Sequence, residues 1–302
     1  MSEDTQRCGF VALVGAPNAG KSTLVNQLVG AKVSIVSRKA QTTRAQLRGI
    51  SIQGAAQIVL VDTPGIFAPR RKLDRAMVAS ALQGAADADV VTLLVDARRG
   101  ADDEVLSILE RLKQAGAPKF LALNKIDLVA REKLLALAAK LNEAATFEET
   151  FMISALTGDG VQKLRERLAA RMPLSPWLYP EDQLSDAPLR FLAAEITREK
   201  LFERLHDELP YQSSVETEGW TNQRDGSARI EQTIYVARES QKKIVIGEGG
   251  RTIKAIGQAA RAEIAEAAEQ KVHLFLFVKV RENWAEDPER YREMRLEPPK
   301  EG

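Results

Sequence analysis

The sequence contains a single cysteine, Cys8, and only two histidines, His206 and His273. One cysteine excludes an intrachain disulfide and a metal cluster held by several thiolates. The histidines lack the spacing of metal ligands, so we interpret both as structural or surface residues. We interpret Cys8 as a small filler beside the first strand, and this cysteine content fits a reducing compartment.

Long hydrophobic runs and a strong net charge are also missing. No apolar run approaches the length of a membrane span, and no basic segment followed by an apolar core opens the chain, so we expect a cytoplasmic protein. The net charge is only +1, but residues 1–180 carry 24 Lys or Arg against 18 Asp or Glu, whereas residues 181–302 carry 19 against 24. A polyanion-binding surface in the second half must therefore be local.

The clearest motif is Gly15-Ala16-Pro17-Asn18-Ala19-Gly20-Lys21-Ser22. It follows a predicted buried strand, 10–14, and precedes a predicted helix, 23–29, which is the context of a phosphate-binding loop. The loop N–H groups and the helix N-terminus favour phosphate oxygens. Lys21 is expected to reach the β- and γ-phosphates, and the Ser22 hydroxyl to ligate Mg²⁺.

Two further segments are suited to the same metal and phosphate. The polar stretch 37–44 predicts a mobile loop, in which a threonine could close over the γ-phosphate and complete the Mg²⁺ shell. The strand-like run 57–61 leads into Asp62-Thr63-Pro64-Gly65. Asp62 is placed for a second Mg²⁺ contact, and Gly65 allows a backbone N–H to approach the γ-phosphate.

The tetrapeptide Asn124-Lys125-Ile126-Asp127 follows the strand-like run 119–123 and predicts the base. The Asp127 carboxylate can accept hydrogen bonds from guanine N1–H and the exocyclic amine, donors that adenine lacks on that edge. Asn124 can hold the loop and reach the guanine edge, and the Lys125 stem can lie over the purine. Further on, the turn Ser154-Ala155 can present a backbone N–H to guanine O6.

Together these motifs resemble the translation-factor-related GTP-binding proteins of the P-loop class, over about residues 7–172. The resemblance implies a Rossmann-like α/β fold with a mostly parallel sheet, Mg²⁺-dependent hydrolysis of GTP to GDP, and nucleotide-controlled loops. It assigns catalytic roles to Lys21, Thr43 and Gly65 and makes Ser22, Thr43 and Asp62 the Mg²⁺ ligands, with Thr42 as the alternative to Thr43. The nucleotide-binding residues that it implies are Gly15, Asn18, Ala19, Gly20, Lys21, Ser22, Thr23, Asp62, Asn124, Lys125, Asp127, Ser154 and Ala155.

Ile66 departs from the Ras-like pattern, which has a water-orienting glutamine after the Asp-x-x-Gly motif. An apolar side chain cannot position water by hydrogen bonding. Hydrolysis then needs other groups: the backbone, a bound cation or a residue supplied by a partner. We expect slow intrinsic turnover that a partner accelerates.

The stretch 173–186 opens with three prolines in eight residues and predicts a semi-rigid linker between a GTP-binding domain, 1–172, and a second domain, 187–302, that ends in a C-terminal tail. We expect Trp177 and Tyr179 to be packing anchors between the domains. The second domain predicts the order α-β-β-α-α-β, with Gly247-Glu248-Gly249-Gly250 between its two later helices. This arrangement resembles a type II KH domain, an α+β fold smaller than the first.

Two loop glycines let a phosphate backbone approach, and the following helix offers its N-terminus, which suits single-stranded RNA. Residues 238–261 contain six Lys or Arg against Glu239 and Glu248. Glu248 departs from the basic residue that such loops often carry, so we expect Glu248→Lys to tighten RNA binding. The predicted RNA-binding residues are Lys242, Lys243, Ile246, Gly247, Gly250, Arg251 and Lys254.

A GTPase followed by such a KH domain resembles the Era family over nearly the whole chain. The resemblance rests on the segments 39–44, 62–65, 180–183, 198–200, 208–211, 245–247 and 278–280. It implies a factor that binds 16S rRNA near its 3′ end, assists assembly of the 30S ribosomal subunit and associates peripherally with the cytoplasmic face of the inner membrane. No coiled-coil pattern predicts a dimer, so a monomer is expected.

The working hypothesis is a switch in which bound GTP orders the loops that contain Thr43 and Gly65, and the second domain then binds RNA. Two alternatives stay open: a constitutive RNA-binding module with a structural nucleotide site, and a regulatory GTPase that docks on protein or membrane.

Overall fold

The computed structural model describes residues 5–37, 39, 41–69, 71–113, 115–282, 291–292 and 294–297. These residues form two compact units. The first contains the described residues up to Asp186 together with those from Tyr291 onward, and the second begins at Ala187. The C-terminal residues that the structure describes therefore pack with the first unit, whereas the sequence analysis placed them in a tail of the second domain.

The first unit is built on a six-stranded sheet in the order β2-β3-β1-β4-β5-β6. Its strands are β1 (Arg7–Val14), β2 (Leu47–Gln53), β3 (Ala56–Asp62), β4 (Val90–Asp96), β5 (Lys119–Asn124) and β6 (Glu149–Ile153). The pair of β2 and β3 is antiparallel, and the other neighbouring pairs are parallel. Every residue of β3 and β4 is buried, as expected for strands covered on both faces.

Five helices cover the two faces of this sheet: α1 (Lys21–Val29), α2 (Lys72–Ala86), α3 (Asp103–Leu112), α4 (Arg131–Ala144) and α5 (Val161–Arg171). Successive side chains of β1 point to opposite faces. Val11 and Leu13 accordingly pack in one core cluster with residues of α1 and α5. Ala12 and Val14 pack in the other, with residues of α2, α3 and α4. The predicted α/β fold with a mostly parallel sheet is confirmed.

The parallel strands bring the predicted nucleotide motifs to one edge of the sheet. Asp62 ends β3, Asp96 ends β4 and Asn124 ends β5, while the loop 15–20 follows β1. Ligands of open α/β sheets bind at this carboxyl edge.

The segment 173–186 packs on the first unit instead of standing free as a linker. The side-chain oxygen of Gln57, a fully buried residue, accepts hydrogen bonds from the Leu178 and Tyr179 N–H groups, at 2.9 and 3.0 Å. The Gln57 amide nitrogen donates to the Tyr179 carbonyl at 2.8 Å. The Trp177 indole donates to the Ala55 carbonyl at 3.1 Å. Both predicted aromatic anchors therefore lie against the hairpin of β2 and β3.

The second unit has helices on one side of a three-stranded sheet, in the order β7-β8-β9. Its elements are α6 (Leu189–Arg204), β7 (Ser213–Asn222), β8 (Ala228–Val236), α7 (Glu239–Ile246), α8 (Arg251–Ala267) and β9 (Val272–Val280). Strands β7 and β8 are antiparallel, and β8 and β9 are parallel. This is the predicted order, and the predicted KH fold is confirmed. Among the helices in these two units, none is long and apolar enough to cross a membrane.

We predict that Gln57→Leu lowers the free energy of unfolding by about 3 kcal/mol, because three hydrogen bonds of roughly 1 kcal/mol each are lost in a buried position. Urea unfolding followed by circular dichroism measures the change, and amide exchange at Leu178 and Tyr179 should accelerate. Gln83→Leu is the control, because Gln83 is exposed and its side chain bonds, among the described residues, only to Asp87 at the end of the same helix. Equal free energies of unfolding for the two variants would contradict the role of Gln57 in holding the segment 173–186 on the first unit.

Candidate functional site

The side chain of Asn124 holds the phosphate-binding loop against the end of β5. The Asn124 amide nitrogen donates to the Ala19 carbonyl at 2.8 Å. Gly20 lies beside this contact with φ 102°, and a Cβ on it would come within 2.3 Å of the same nitrogen. Glycine is therefore required at position 20 both by the backbone conformation and by the close approach of Asn124.

Helix α1 begins at Lys21 with no side-chain cap at Gly20, which leaves the first N–H groups of the helix available to an anion. The Lys21 side chain is buried and donates to the Gly15 and Ala16 carbonyls, at 3.1 and 3.0 Å. Burial lowers the pKa of Lys21 to about 8, although the Asp62 and Glu104 carboxylates act in the opposite direction. The ammonium therefore lies beside the carbonyl groups of the loop, where phosphate oxygens would pair with it.

The predicted Mg²⁺ ligands lie close together. The Ser22 and Thr43 hydroxyl oxygens are 2.8 Å apart. Asp62 is fully buried, and one of its carboxylate oxygens accepts a hydrogen bond from Ser34 at 2.6 Å. The other oxygen has no hydrogen-bond partner among the described residues. Burial raises the pKa of Asp62, although the neighbouring Ser34, Ser22 and Thr43 hydroxyls and the Lys21 charge act in the opposite direction.

This arrangement fits a magnesium ion. Mg²⁺ binds few protein ligands and keeps water and phosphate oxygens in the rest of its shell. Two adjacent hydroxyls and an unpaired buried carboxylate oxygen supply oxygen ligands of the required kind. A cation there would also offset the cost of burying the Asp62 charge.

The two threonines of the polar loop differ in their contacts. The Thr42 hydroxyl donates within its own loop, to the Lys39 carbonyl at 2.8 Å, whereas the Thr43 hydroxyl meets Ser22. After Gly65, the Ile66 N–H donates to the Gly15 carbonyl at 3.1 Å, which keeps Gly65 beside the phosphate loop. The Ile66 side chain is buried in the apolar core next to Ala16.

At the base end of the site, Asn124 joins two loops. Its side-chain oxygen accepts a hydrogen bond from the Ala155 N–H at 2.9 Å, while its nitrogen holds Ala19. Of the backbone N–H groups in the turn Ser154-Ala155, that of Ala155 is therefore paired with Asn124. Ser154 is buried, and its hydroxyl accepts from the Thr157 N–H at 3.2 Å.

Lys125 and Asp127 flank the position expected for the purine. The Lys125 ammonium donates to the Asn18 carbonyl at 2.7 Å and pairs with Asp96 at 2.6 Å. Burial works to raise the pKa of Asp96, but hydrogen bonds from Arg98 and Lys125 lower it to about 2. Asp127 is exposed, and within the described part of the chain its carboxylate has no hydrogen-bond partner, so it is available to a donor.

Sequence reasoning missed two supporting residues, Ser34 and Asp96. Ser34 has no motif of its own. It is fixed by Asn26, whose side-chain oxygen accepts from the Val33 and Ser34 N–H groups, both at 2.9 Å. Asp96 did carry a signal, because an aspartate ending a parallel strand beside β1 and β5 must lie at the ligand edge. Thr23, by contrast, is half-buried in the first turn of α1.

The second unit presents a glycine loop at the start of α8. Gly250 has φ 76° and lies just before Arg251, and no atom is within 4 Å of the position of a Cβ there. Helix α8 has no side-chain cap at this end. An open, left-handed glycine before an uncapped helix allows a phosphate to approach the backbone closely.

Cations extend from this loop along one side of α8. Arg251, Lys254 and Arg261 are exposed and follow one another at helical spacing, with Gln258 between the last two. On α7, Lys243 is exposed and Lys242 is half-buried, 4.0 Å from Glu239. Apolar side chains border them: Ile244, more than half exposed, and the half-buried Ile246 and Ile253.

Glu248 reduces the positive charge of this surface in two ways. It places a carboxylate on the loop, and it forms an exposed ion pair with Arg251. The first cation of α8 is therefore partly neutralised by the loop itself.

Comparisons with known proteins agree with both units. A family model described as 50S ribosome-binding GTPase matches residues 10–125, and a KH domain model matches residues 208–285. The chain is 69% identical over 295 residues to GTPase Era of Afipia carboxidovorans, covering 98% of this chain and 96% of that protein. It is 66% identical to GTPase Era of Rhizobium meliloti, covering 97% and 94%.

Two solved structures are similar over both units. One is a crystal structure of Era in complex with MgGDPNP and nucleotides 1506–1542 of 16S ribosomal RNA, with a TM-score of 0.91, 37% identity and coverage of 96% of this chain and 98% of that one. The other is an Era variant of Aquifex aeolicus bound to GDP and AlF₄⁻, with the same TM-score and identity and coverage of 96% and 99%.

The fold and the loops at its carboxyl edge define a P-loop GTPase, which hydrolyses GTP and takes GTP, GDP and Mg²⁺ as ligands, joined to a KH domain. Within this class, the chain belongs to the Era family of GTPases.

We predict that GDP affinity falls as the pH rises above about 8, approaching tenfold per pH unit, because free Lys21 then loses its proton and must regain it to pair with phosphate. Calorimetry at about pH 9 in buffers of different ionisation enthalpy should show proton uptake on binding. Lys21→Met is the control that subtracts protons taken up by the nucleotide's own groups. Equal uptake by both proteins would contradict the assignment to Lys21.

We predict that Asp96→Asn weakens GDP binding about tenfold, because Lys125 loses the charged partner that holds its stem over the purine position. Fluorescence titration with a labelled GDP measures the change. Glu110→Gln is the matched control, since Glu110 pairs with Lys113 at the same 2.6 Å on an exposed face of α3. In a chain that already carries Lys125→Ala, Asp96→Asn should cause no further loss of GDP affinity. Additive losses would contradict the proposal that Asp96 acts through Lys125.

Proposed function

We propose that this chain is a GTP-controlled switch that binds 16S rRNA near its 3′ end through the KH unit and assists assembly of the 30S subunit. One observation supports this most strongly. The Era structure that contains a GTP analogue and nucleotides 1506–1542 of 16S rRNA matches this chain over 96% of its length, with a TM-score of 0.91. This chain contains a site suited to each of those two ligands.

In the nucleotide site, Ser22, Thr43 and Asp62 hold Mg²⁺, whose positive charge would offset charge on the phosphates during hydrolysis. Thr43 is preferred over Thr42 because its hydroxyl meets Ser22, whereas Thr42 bonds within its own loop. Lys21 pairs with the β- and γ-phosphates, and the backbone at Gly65 reaches the γ-phosphate. The N–H groups from Gly15 to Thr23 receive the remaining phosphate oxygens.

At the base, Asp127 reads guanine and the Lys125 stem covers the ring. Asn124 acts as a positioning residue, because both ends of its amide are used to join the loops at Ala19 and Ala155. Ser154 shapes the turn that carries Ala155.

Hydrolysis by this site is slow without a partner. Ile66 is buried in the apolar core, so its side chain does not face the site where water would attack. The water-orienting group is then a backbone group, a bound cation or a residue of the ribosomal partner.

In the KH unit, single-stranded RNA lies across the loop Gly247–Gly250. Its phosphates meet Lys242, Lys243, Arg251 and Lys254, and its bases rest on the apolar surface at Ile246. The polyanion surface is local, as the charge balance of the second half requires.

The test is binding of an RNA spanning nucleotides 1506–1542 of 16S rRNA to the full chain, with Mg²⁺ and GDPNP or with Mg²⁺ and GDP. We expect at least tenfold tighter binding with GDPNP, because a switch requires the two nucleotides to differ in affinity for the RNA-competent arrangement. Lys21→Ala should abolish the difference. Equal affinity in both states would contradict the switch, and the absence of binding would contradict the RNA-binding role.

Glu248→Lys tests the RNA groove in the same assay, where the groove is the surface formed by the loop Gly247–Gly250 and the basic side chains of α7 and α8. It should tighten binding in both nucleotide states, because it removes a carboxylate and releases Arg251. Glu266→Lys, the same charge change on an exposed residue near the far end of α8, is the matched control. Peripheral membrane association and a monomeric state stay predictions of the family resemblance.

A further inference from the structure

One face of the KH sheet carries two exposed aromatic side chains. Along β9 the side chains alternate. Leu274, Leu276, Val278 and Val280 are partly buried against the helices, whereas the residues between them point away. Phe275 and Phe277 are 40% and 48% exposed on that outer face. Because strand side chains repeat every second residue, the two rings lie side by side, about 7 Å apart.

Cationic side chains lie beside aromatic rings of β8 and β9. The Arg229 guanidinium lies 4.2 Å from the centre of the Phe275 ring, and Arg281 lies 5.8 Å from that of Tyr235. The segment 271–281 contains Lys271, Lys279 and Arg281 but no Asp or Glu. Two of these cations form ion pairs with the neighbouring carboxylates of the sheet, Arg229 with Glu231 and Lys279 with Glu218.

This surface is continuous with the proposed RNA groove. Strand β9 is an edge strand, paired with β8. Its other face packs beside α7 and α8, which carry the glycine loop and the basic side chains. A nucleic acid strand leaving the groove would therefore have to turn around only this edge strand to reach the two rings on the outer face.

We propose that the outer face of β8 and β9 is a second single-stranded RNA surface, on which bases stack against Phe275 and Phe277. The proposal rests on the proposed RNA-binding function of this unit. A KH groove clamps about four nucleotides, whereas the RNA in the related Era structure spans nucleotides 1506–1542. Exposed rings flanked by Arg and Lys are the usual platform for unpaired bases, while cores of protein interfaces are depleted in charge.

The test uses the full chain with Mg²⁺ and GDPNP, and two unstructured RNAs from the 16S 3′ end, one of about five nucleotides and one of about twelve. The double variant Phe275→Leu with Phe277→Leu keeps apolar side chains on the face but removes both π surfaces. We expect its affinity for the longer RNA to fall at least tenfold and its affinity for the shorter RNA to stay unchanged. Unchanged binding of the shorter RNA also shows that the unit remains folded.

The double variant Lys243→Glu with Lys254→Glu should weaken the binding of both RNAs, because both substitutions remove cations from the groove. If neither RNA binds the wild-type chain, the proposed function fails and this inference fails with it. If both RNAs bind and the leucine variant binds the longer one as tightly as the wild type, only the second surface is overturned, and the aromatic face belongs to a protein partner instead. Cross-linking of a 5-iodouracil in the longer RNA to the peptide containing Phe277 would support the proposal.

Discussion

The nucleotide site depends on the side chain of Asn124. Its two polar ends connect the phosphate loop at Ala19 with the turn at Ala155, across the carboxyl edge of the sheet. Each of these segments is an irregular loop that could adopt other conformations alone. A buried amide that satisfies one carbonyl and one N–H fixes their separation, and Gly20 leaves the space in which it lies. Asn124 therefore sets the distance between the two loops that border the nucleotide site.

The charged groups of this pocket are buried with incomplete partners. Burial lowers the pKa of Lys21 and raises that of Asp62, so both groups are held where their charged forms are unfavourable. One Asp62 oxygen has no hydrogen-bond partner in the described structure. Phosphate oxygens and a metal ion would supply the missing charges, and part of the binding free energy comes from relieving this unfavourable burial. At the base end the opposite holds, because the Asp96 carboxylate is already paired with both Arg98 and Lys125.

The KH unit shows how a protein with almost no net charge can still offer a surface to RNA. Exposed cations lie along α7 and α8, and the segment 271–281 contains no carboxylate. Glu248 lies on the glycine loop and pairs with Arg251. Affinity at this surface is set by such local pairs, because overall charge acts only at longer range and is screened by salt.

Sequence alone determined the element order, the α/β class of the first unit and the motifs at the ligand edge, because hydrophobic periodicity and glycine-rich turns are local properties. The KH fold of the second unit followed from the family that this order of elements resembles. The sequence left open which threonine meets Ser22, and it did not show that the Ala155 N–H pairs with Asn124. It also treated 173–186 as a linker, whereas Gln57 clamps that segment to the first unit. Tertiary structure decided these points, together with the roles of Ser34 and Asp96. Each depends on a contact between residues distant in sequence, or on the direction of one side chain, and no local pattern records either.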